Sequence, residues 1–169
     1  PQERTVMFVD NRGYTHWSES RTPEEVGAML DRYYPAVEEV MTTGGAIKFK
    51  FAADEAMAIF ATPHGAAATA LKLQSQIVAL LATHDLGAGV GIHTGNVVEG
   101  LLGSAGVKFY DVIGDTVNTA KRIESNAGKG EVWISEFTKN ALKDEVKVGE
   151  PREITVKGKE GMLRVYPIH

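Results

Sequence analysis

The chain alternates long helix-forming segments with short apolar runs, and this alternation limits its fold more than any other feature. Residues 5–9 form a β-prone apolar run. A helix start follows at Thr22, a suitable N-cap before Pro23, and apolar residues then recur at helical spacing until Gly44. We expect Pro35 to kink this helix. Helices that alternate with strands and hairpins indicate an α+β domain with a mixed sheet and helices packed on one face.

The remaining segments extend this pattern. Residues 11–15 are expected to form a loop. Apolar residues alternate with lysines over residues 46–51, which predicts a strand, and a tight turn at residues 52–54 leads into a second strand over 57–60. Further strands are predicted over 87–95, 97–102, 108–112 and 131–135, with two more in 146–166 joined by residues 157–161. Further helices are predicted over 65–82, 114–125 and 136–143.

Composition excludes several kinds of site. The 169 residues contain no cysteine, which rules out disulfides, cysteine-bound zinc, iron–sulfur clusters and thiol nucleophiles. A formal net charge of −4 argues against binding to a nucleic-acid backbone. No apolar run is long enough to predict a membrane span or a signal peptide, so we expect no membrane contact within this chain and a cytoplasmic location. We interpret residues 1–169 as one domain, cut from a longer protein that could carry regulatory domains.

Two aspartates are candidates for a metal site. Asp10 ends the first predicted strand, and Asp54 lies at the tip of the predicted hairpin. If the two strands are neighbours, both carboxylates point to one place, where hard oxygen ligands suit Mg²⁺ or Mn²⁺ bound with a phosphate substrate. The alternative is that Asp10 caps a turn and Asp54 forms one, because aspartate is a common turn residue.

Three polar residues could bind a phosphorylated sugar. Asn118 and Arg122 are four residues apart, so they share one helix face, opposite Val117 and Ala120. An amide beside a planar, always charged guanidinium can bind a sugar oxygen and a phosphate together. Lys157 lies in a glycine-containing loop that could fold over a triphosphate. The alternatives are an ordinary solvated helix face and a lysine that solubilises a hairpin.

A glycine-rich run over residues 89–95 is not followed by the Gly-Lys-Ser/Thr of a phosphate-binding loop. Its glycines predict close packing of a strand or subunit. His93, within the run, is interpreted as a packed or hydrogen-bonded side chain. Trp17 and Trp133 are interpreted as packing residues.

Four stretches and a short closing motif, in this order, resemble the catalytic domain of class III nucleotidyl cyclases, the adenylate/guanylate cyclase family. The stretches are residues 8–15, 50–60, 89–100 and 110–122, and the closing motif is residues 156–158. The resemblance covers residues 4 to 167. It implies a ferredoxin-like βαββαβ core with a mixed, mostly antiparallel sheet, helices packed on one face and additional C-terminal strands.

The resemblance also implies a metal centre. Asp10 and Asp54 match the two metal-binding aspartates of the family, and the backbone carbonyl of Asn11 matches a further metal contact. Two Mg²⁺ or Mn²⁺ ions per site are expected. Asn11 stands where the family usually has Ile, and Ala53 where it usually has Gly. If the turn requires a positive φ, Ala53 costs about 1–2 kcal/mol.

The remaining roles concern the nucleotide. Lys50 and Asp111 match the residues that read adenine, which implies ATP as substrate, because guanylate cyclases have Glu at the first position and usually Cys or a small residue at the second. Asn118 matches the residue near the ribose, Arg122 the arginine that stabilises the transition state, and Lys157 the lysine that binds the triphosphate.

The implied activity is adenylate cyclase, in a homodimer whose two sites are shared between the subunits. One subunit would supply the aspartates of a site and the other the nucleotide-reading residues. The alternatives are a guanylate or dual-specificity cyclase, or a degenerate cyclase-like domain that binds nucleotide or only dimerises.

Overall fold

The computed structural model describes residues 2–156 and 161–169. The strands of this part of the chain are β1 Gln2–Arg12, β2 Lys48–Ala52, β3 Glu55–Phe60, β4 Gly87–Gly103, β5 Lys108–Ile113, β6 Val132–Ser135, β7 Arg152–Thr155 and β8 Met162–Ile168. The helices are α1 Tyr14–Glu19, α2 Pro23–Thr43, α3 Pro63–Ala82, α4 Asp115–Asn126 and α5 Glu136–Leu142.

The strands form one sheet in the order β2-β3-β1-β4-β6-β8-β7, with β5 paired to β4 outside this path. All pairs are antiparallel except β4 with β6. The first four strands, with α2 and α3, make a βαββαβ core in which β1 lies between β3 and β4. The predicted α+β class, the ferredoxin-like core and the mostly antiparallel mixed sheet are therefore confirmed.

The two faces of β1 belong to two different apolar cores. Met7 and Val9 face the core that contains the buried residues of α2 and α3. Val6 and Phe8 face a second core, which includes Ala120 of α4. The helices were predicted to pack on one face of the sheet. This is correct for α2 and α3, but α4 lies on the opposite face. The reason is that an apolar strand without alternation needs cover on both sides.

Helix α2 begins with a capping box in which Thr22 and Glu25 each accept a hydrogen bond from the other's backbone N–H. The helix continues through Pro35 and ends before Gly44. A Cβ atom at Gly44 would overlap the side chain of Thr69 on α3. The glycine therefore lets the end of α2 approach α3 closely.

Helix α3 is long and apolar enough, by length and composition alone, to cross a membrane. Its Leu73, Ile77 and Leu81 are fully buried in the main core of the domain. The helix therefore has the pattern of a core helix, which passes the same test.

Two predictions of local structure were wrong. Residues 11–15 do not form a loop: β1 continues to Arg12, where it pairs with Gly87, and α1 begins at Tyr14 after Gly13 adopts a φ of 89°. The two strands expected over 87–102 are one strand, β4. It stays continuous because its first half pairs with β1 and its second half with β5.

The glycines of β4 allow α4 to lie directly on the sheet, so the element that packs closely against them is a helix and not the strand or subunit that was predicted. A Cβ atom at Gly91 would overlap the backbone of Glu124, and one at Gly95 would lie 2.6 Å from the Thr116 hydroxyl. His93 is packed as expected, since its Nδ1 lies 2.7 Å from the Ser135 hydroxyl. Trp17 and Trp133 are both buried.

Candidate functional site

The β2–β3 hairpin places Asp54 at its tip, as predicted. Ala52 pairs with Glu55, so Ala53 and Asp54 alone form the turn. Tyr33 of α2 donates a hydrogen bond to the Asp54 carbonyl at 3.0 Å. Ala53 has a φ of 52°, so the turn has the positive φ that the sequence analysis gave as the condition for a steric cost at this residue.

Asp10 and Asp54 meet at the end of β1. The backbone N–H of Asn11 donates to Asp10 Oδ1 at 3.0 Å and to Asp54 Oδ2 at 2.9 Å. The carboxylates converge because β1 and β3 are adjacent antiparallel strands, so the end of β1 lies beside the start of β3. The structure thus brings together the two aspartates that the sequence analysis paired.

Crowding of these carboxylates affects their charge. The Asp54 side chain is buried, and this burial, followed by its hydrogen bond with Asp10, raises the pKa of Asp54 to about 7. A bound divalent cation would offset both effects, because it stabilises ionised carboxylates. The oxygen ligands and their convergence fit the hard cation expected from the sequence.

Asp10 also belongs to a cluster of three carboxylates that was not predicted from the sequence. One carboxylate oxygen each from Asp10, Glu55 and Glu124 lies within 4.8 Å of the others. The Lys121 ammonium lies among them: it contacts Glu55, lies 2.6 Å from Glu124 Oε1 and 3.6 Å from Asp10 Oδ2. The only signal in the sequence is the i,i+3 spacing of Lys121 and Glu124 on one helix.

Arg12 joins the end of β1 to the end of α4. Its Nη1 donates to the carbonyl oxygens of Glu124, Ser125 and Ala127 at 3.1–3.3 Å, and its Nη2 pairs with the buried Glu124 carboxylate. An arginine that satisfies the last carbonyls of a helix stabilises that end. Arg12 therefore links the strand that carries Asp10 to the helix that carries Asn118 and Arg122.

Lys50 and Asp111 form a separate pair. Lys50 Nζ donates to Asp111 Oδ1 at 2.8 Å, although the residues are 61 positions apart. The hydrogen bond from Lys50 lowers the pKa of Asp111, and the Val112 N–H donates to the same oxygen at 2.8 Å. Since the Lys50 side chain is 51% exposed, the pair is open to a ligand.

Asn118 and Arg122 are exposed on α4, and Arg122 Nε donates to the Thr155 carbonyl of β7 at 2.9 Å. Lys157 lies outside the described residues. The Asn11 side chain is buried, and neither of its polar atoms has a hydrogen-bond partner in the described structure.

The β4–β5 hairpin presents an apolar surface to solvent. Its exposed side chains are Val98, Leu101, Val107, Phe109 and Ile113, each between 49% and 71% exposed. Exposed apolar side chains clustered on one element are typical of a protein interface.

Comparison with known proteins gives one family. A family model described as "Adenylate and Guanylate cyclase catalytic domain" matches residues 2–169. An adenylate cyclase of Mycobacterium tuberculosis is 34% identical over 173 residues, which covers 97% of this chain and 39% of that protein. The chain thus spans well under half the length of this curated relative.

Solved structures agree in fold. The guanylyl cyclase Cya2 has a TM-score of 0.93 and 29% identity, with 99% of this chain and 91% of that chain covered. The adenylyl cyclase CyaB from P. aeruginosa has a TM-score of 0.93 and 26% identity, with 99% and 94% covered. The similar proteins therefore include cyclases of both nucleotide specificities.

Proposed function

This chain belongs to the family of adenylate and guanylate cyclase catalytic domains, and from this premise we propose that it is an adenylate cyclase. It converts ATP to 3′,5′-cyclic AMP and pyrophosphate at sites shared by two copies of the chain. The observation that carries the choice of ATP is the exposed pair of Lys50 and Asp111.

The chemistry of this pair favours adenine over guanine. An ammonium group only donates hydrogen bonds and suits the ring N1 of adenine, whereas a carboxylate only accepts and suits the exocyclic amine. Guanine presents the opposite pattern at these edges. The low pKa of Asp111 keeps its carboxylate an acceptor at neutral pH. The similar proteins include cyclases of both nucleotide specificities, so overall similarity does not favour either substrate. The choice of ATP is supported by Lys50 and Asp111.

Asp10, Asp54 and the Asn11 carbonyl are proposed to hold two divalent cations, Mg²⁺ or Mn²⁺. Bound there, such cations would lower the pKa of the ribose 3′-hydroxyl and offset the charge of the phosphates. The 3′-oxygen attacks the α-phosphorus and loses its proton to water, and the bond from that phosphorus to the pyrophosphate oxygen breaks, so that pyrophosphate leaves. The chain contributes the Asp10 and Asp54 carboxylates that would hold these cations.

Arg122, Asn118 and Lys157 complete the proposed site. The guanidinium of Arg122 offsets the charge that grows on the α-phosphate as the bond to pyrophosphate breaks. Asn118, on the same exposed face of α4, orients the ribose. Lys157 binds the triphosphate.

The separation of the two groups supports a homodimer. Asp10 and Asp54 share one N–H group, whereas Lys50 and Asp111 bind each other on β2 and β5. In the proposed dimer, the aspartates of one subunit face the nucleotide-reading residues of the other. The exposed apolar surface of the β4–β5 hairpin is the proposed contact. We also propose that the domain is cytoplasmic and that regulatory segments lie outside this chain.

The test is a cyclase assay on the purified chain at high protein concentration. ATP or GTP is supplied with Mn²⁺ or Mg²⁺, and the product is identified by mass. We expect cyclic AMP, formed faster than cyclic GMP. Lys50→Glu with Asp111→Cys is expected to reverse the preference, and Lys72→Met, on the exposed side of α3, is the matched control.

Two outcomes contradict the proposal. Faster turnover of GTP by the unmodified chain would make it a guanylate cyclase. Nucleotide binding without any cyclic product, across both metals, would make it a degenerate domain.

A further inference from the structure

Lys121 lies at the border between the proposed metal ligands and α4. Its ammonium contacts the Glu55 carboxylate, lies 2.6 Å from that of Glu124 and lies 3.6 Å from Asp10 Oδ2. It also lies 5.6 Å from the centre of the Phe8 ring. The ammonium is therefore surrounded by groups from β1, β3 and its own helix.

The contacts of Lys121 differ in strength. The Glu124 carboxylate is also paired with Arg12, so two cations already share it. Among the described residues, the Glu55 carboxylate forms an ion pair with Lys121 alone. The contact to Asp10 is the longest of the three, so it is the easiest to lose. Two glutamates can hold Lys121 while Asp10 turns to another cation.

The two carboxylate oxygens of Asp10 have different neighbours. Its Oδ1 accepts the Asn11 N–H, and its Oδ2 faces Lys121. A divalent cation at Asp10 and Asp54 would lie next to a fixed positive charge. Two like charges a few ångströms apart near a protein surface repel by several times the thermal energy.

We propose that Lys121 is a positioning residue that weakens divalent-cation binding at Asp10 and sets the metal concentration at which the site fills. This rests on the proposed function in one respect, the assignment of Asp10 and Asp54 as metal ligands. Lys121 holds the Asp10 carboxylate toward α4, and a divalent cation takes this carboxylate from it. The two glutamates then keep Lys121 in place beside the filled site.

The experiment measures Mn²⁺ binding without nucleotide. Free Mn²⁺ is followed by electron paramagnetic resonance during titration of the unmodified chain, Lys121→Met, Lys121→Arg and the control Lys72→Met. We expect Lys121→Met to bind Mn²⁺ about tenfold more tightly, because a unit charge close to the cation is removed. Lys121→Arg, which retains the charge, and Lys72→Met should bind as the unmodified chain does.

Folding is checked by thermal melting of each variant. If Lys121→Met does not fold, Lys121→Gln replaces it, since its amide still donates to Glu124 and carries no charge. Unchanged or weaker Mn²⁺ binding by the folded neutral variant would overturn the proposal and leave Lys121 as a structural ion-pair partner.

A further variant separates this proposal from the proposed function. Asp54→Asn in the Lys121→Met background should abolish the tight binding. If the tight binding persists, Mn²⁺ lies elsewhere and the role of Lys121 is refuted, whereas the cyclase assay still decides the function. If cyclic AMP is absent but the Mn²⁺ shift is seen, only the function fails.

Discussion

At the residue scale, the turn between β2 and β3 shows how a strained position is held in place. Ala53 has a left-handed φ that favours glycine, and Asp54 next to it is buried. Tyr33 and Tyr34 of α2 donate hydrogen bonds to the carbonyl oxygens of Asp54 and Ala53 at 3.0 and 2.6 Å. The turn is therefore fixed by long-range contacts that overcome its local preference.

Ala53→Gly should stabilise the chain by about 1 kcal/mol, because glycine adopts this φ without the steric cost of a Cβ atom. The free energy of unfolding is measured by urea denaturation. Ala68→Gly, at an exposed helical position of α3, is the control and should destabilise by a similar amount. Destabilisation by both substitutions would show that the turn is not strained.

Asp54 should make stability depend on pH in the direction opposite to an ordinary aspartate. Its pKa is about 7 in the folded chain against 3.8 for the unperturbed group, so the folded state holds a proton that the unfolded state releases between these values. Its contribution to stability is present below pH 4 and is lost as the pH rises through about 7.

The measurement compares the unmodified chain with Asp54→Asn by urea unfolding at several pH values with chelator present. Asparagine resembles the protonated acid and does not titrate. The stability of the unmodified chain should therefore fall relative to that of Asp54→Asn as the pH rises from 5 to 8. A constant difference would show that Asp54 has an ordinary pKa.

At the element scale, α4 is held on β4 by close packing and by two cations. Gly91 leaves no room for a side chain beneath the helix. Arg12 binds the carbonyls of the last turn, and Lys121 binds Glu55 on β3. The helix that carries the proposed catalytic Arg122 is therefore positioned from the strands that carry the aspartates.

Gly91→Ala should destabilise the chain by about 2–3 kcal/mol and lower cyclase activity, because the added methyl group overlaps the backbone of α4. Gly27→Ala on α2 is the control, since nothing lies within 4 Å of a Cβ atom there. Thermal melting and the cyclase assay measure both effects. Equal stability of the two variants would contradict the close packing.

At the scale of the whole molecule, the chain is one folded unit with two separate groups of site residues. The proposed metal ligands, Asp10 and Asp54, lie near the end of β1, and the proposed base-reading pair, Lys50 and Asp111, lies where β5 approaches β2. Lys48 Nζ, 5.6 Å from the centre of the Tyr110 ring, adds a further contact between the same two strands. Two copies are needed to bring complementary groups together in the proposed site.

Asp54→Ala and Arg122→Ala should each be inactive and should regain activity when mixed. A mixed dimer contains one intact site, so random pairing restores about one quarter of the unmodified activity. The assay measures cyclic AMP at increasing concentrations of the partner variant. Mixing two preparations of the same variant is the control, and no recovery in the mixture would contradict a shared site.

The local patterns determined much of the fold and part of the site. The helix start at Thr22 follows from a side chain that caps a backbone N–H three residues later. The similar cap at Thr62 was not predicted, and α3 begins at Pro63, two residues before the predicted start. Local patterns place Asp10 at a strand end and Asp54 at a hairpin tip, but their convergence depends on the pairing of β1 with β3, which the sequence left as a condition. Residue types at Lys50, Asp111 and Arg122 indicated the chemistry through the family they resemble.

The tertiary structure decided what depends on packing between distant segments. The continuous strand β4, the position of α4 on the opposite face, and the cluster around Lys121 were not predicted. Lys121 meets Glu55 across 66 positions of sequence, a contact that depends on the register of β1 with β3 and on how closely α4 approaches β4. Periodicity reports which residues share a face of one element, whereas the distance between elements is set by side-chain volume across the whole core.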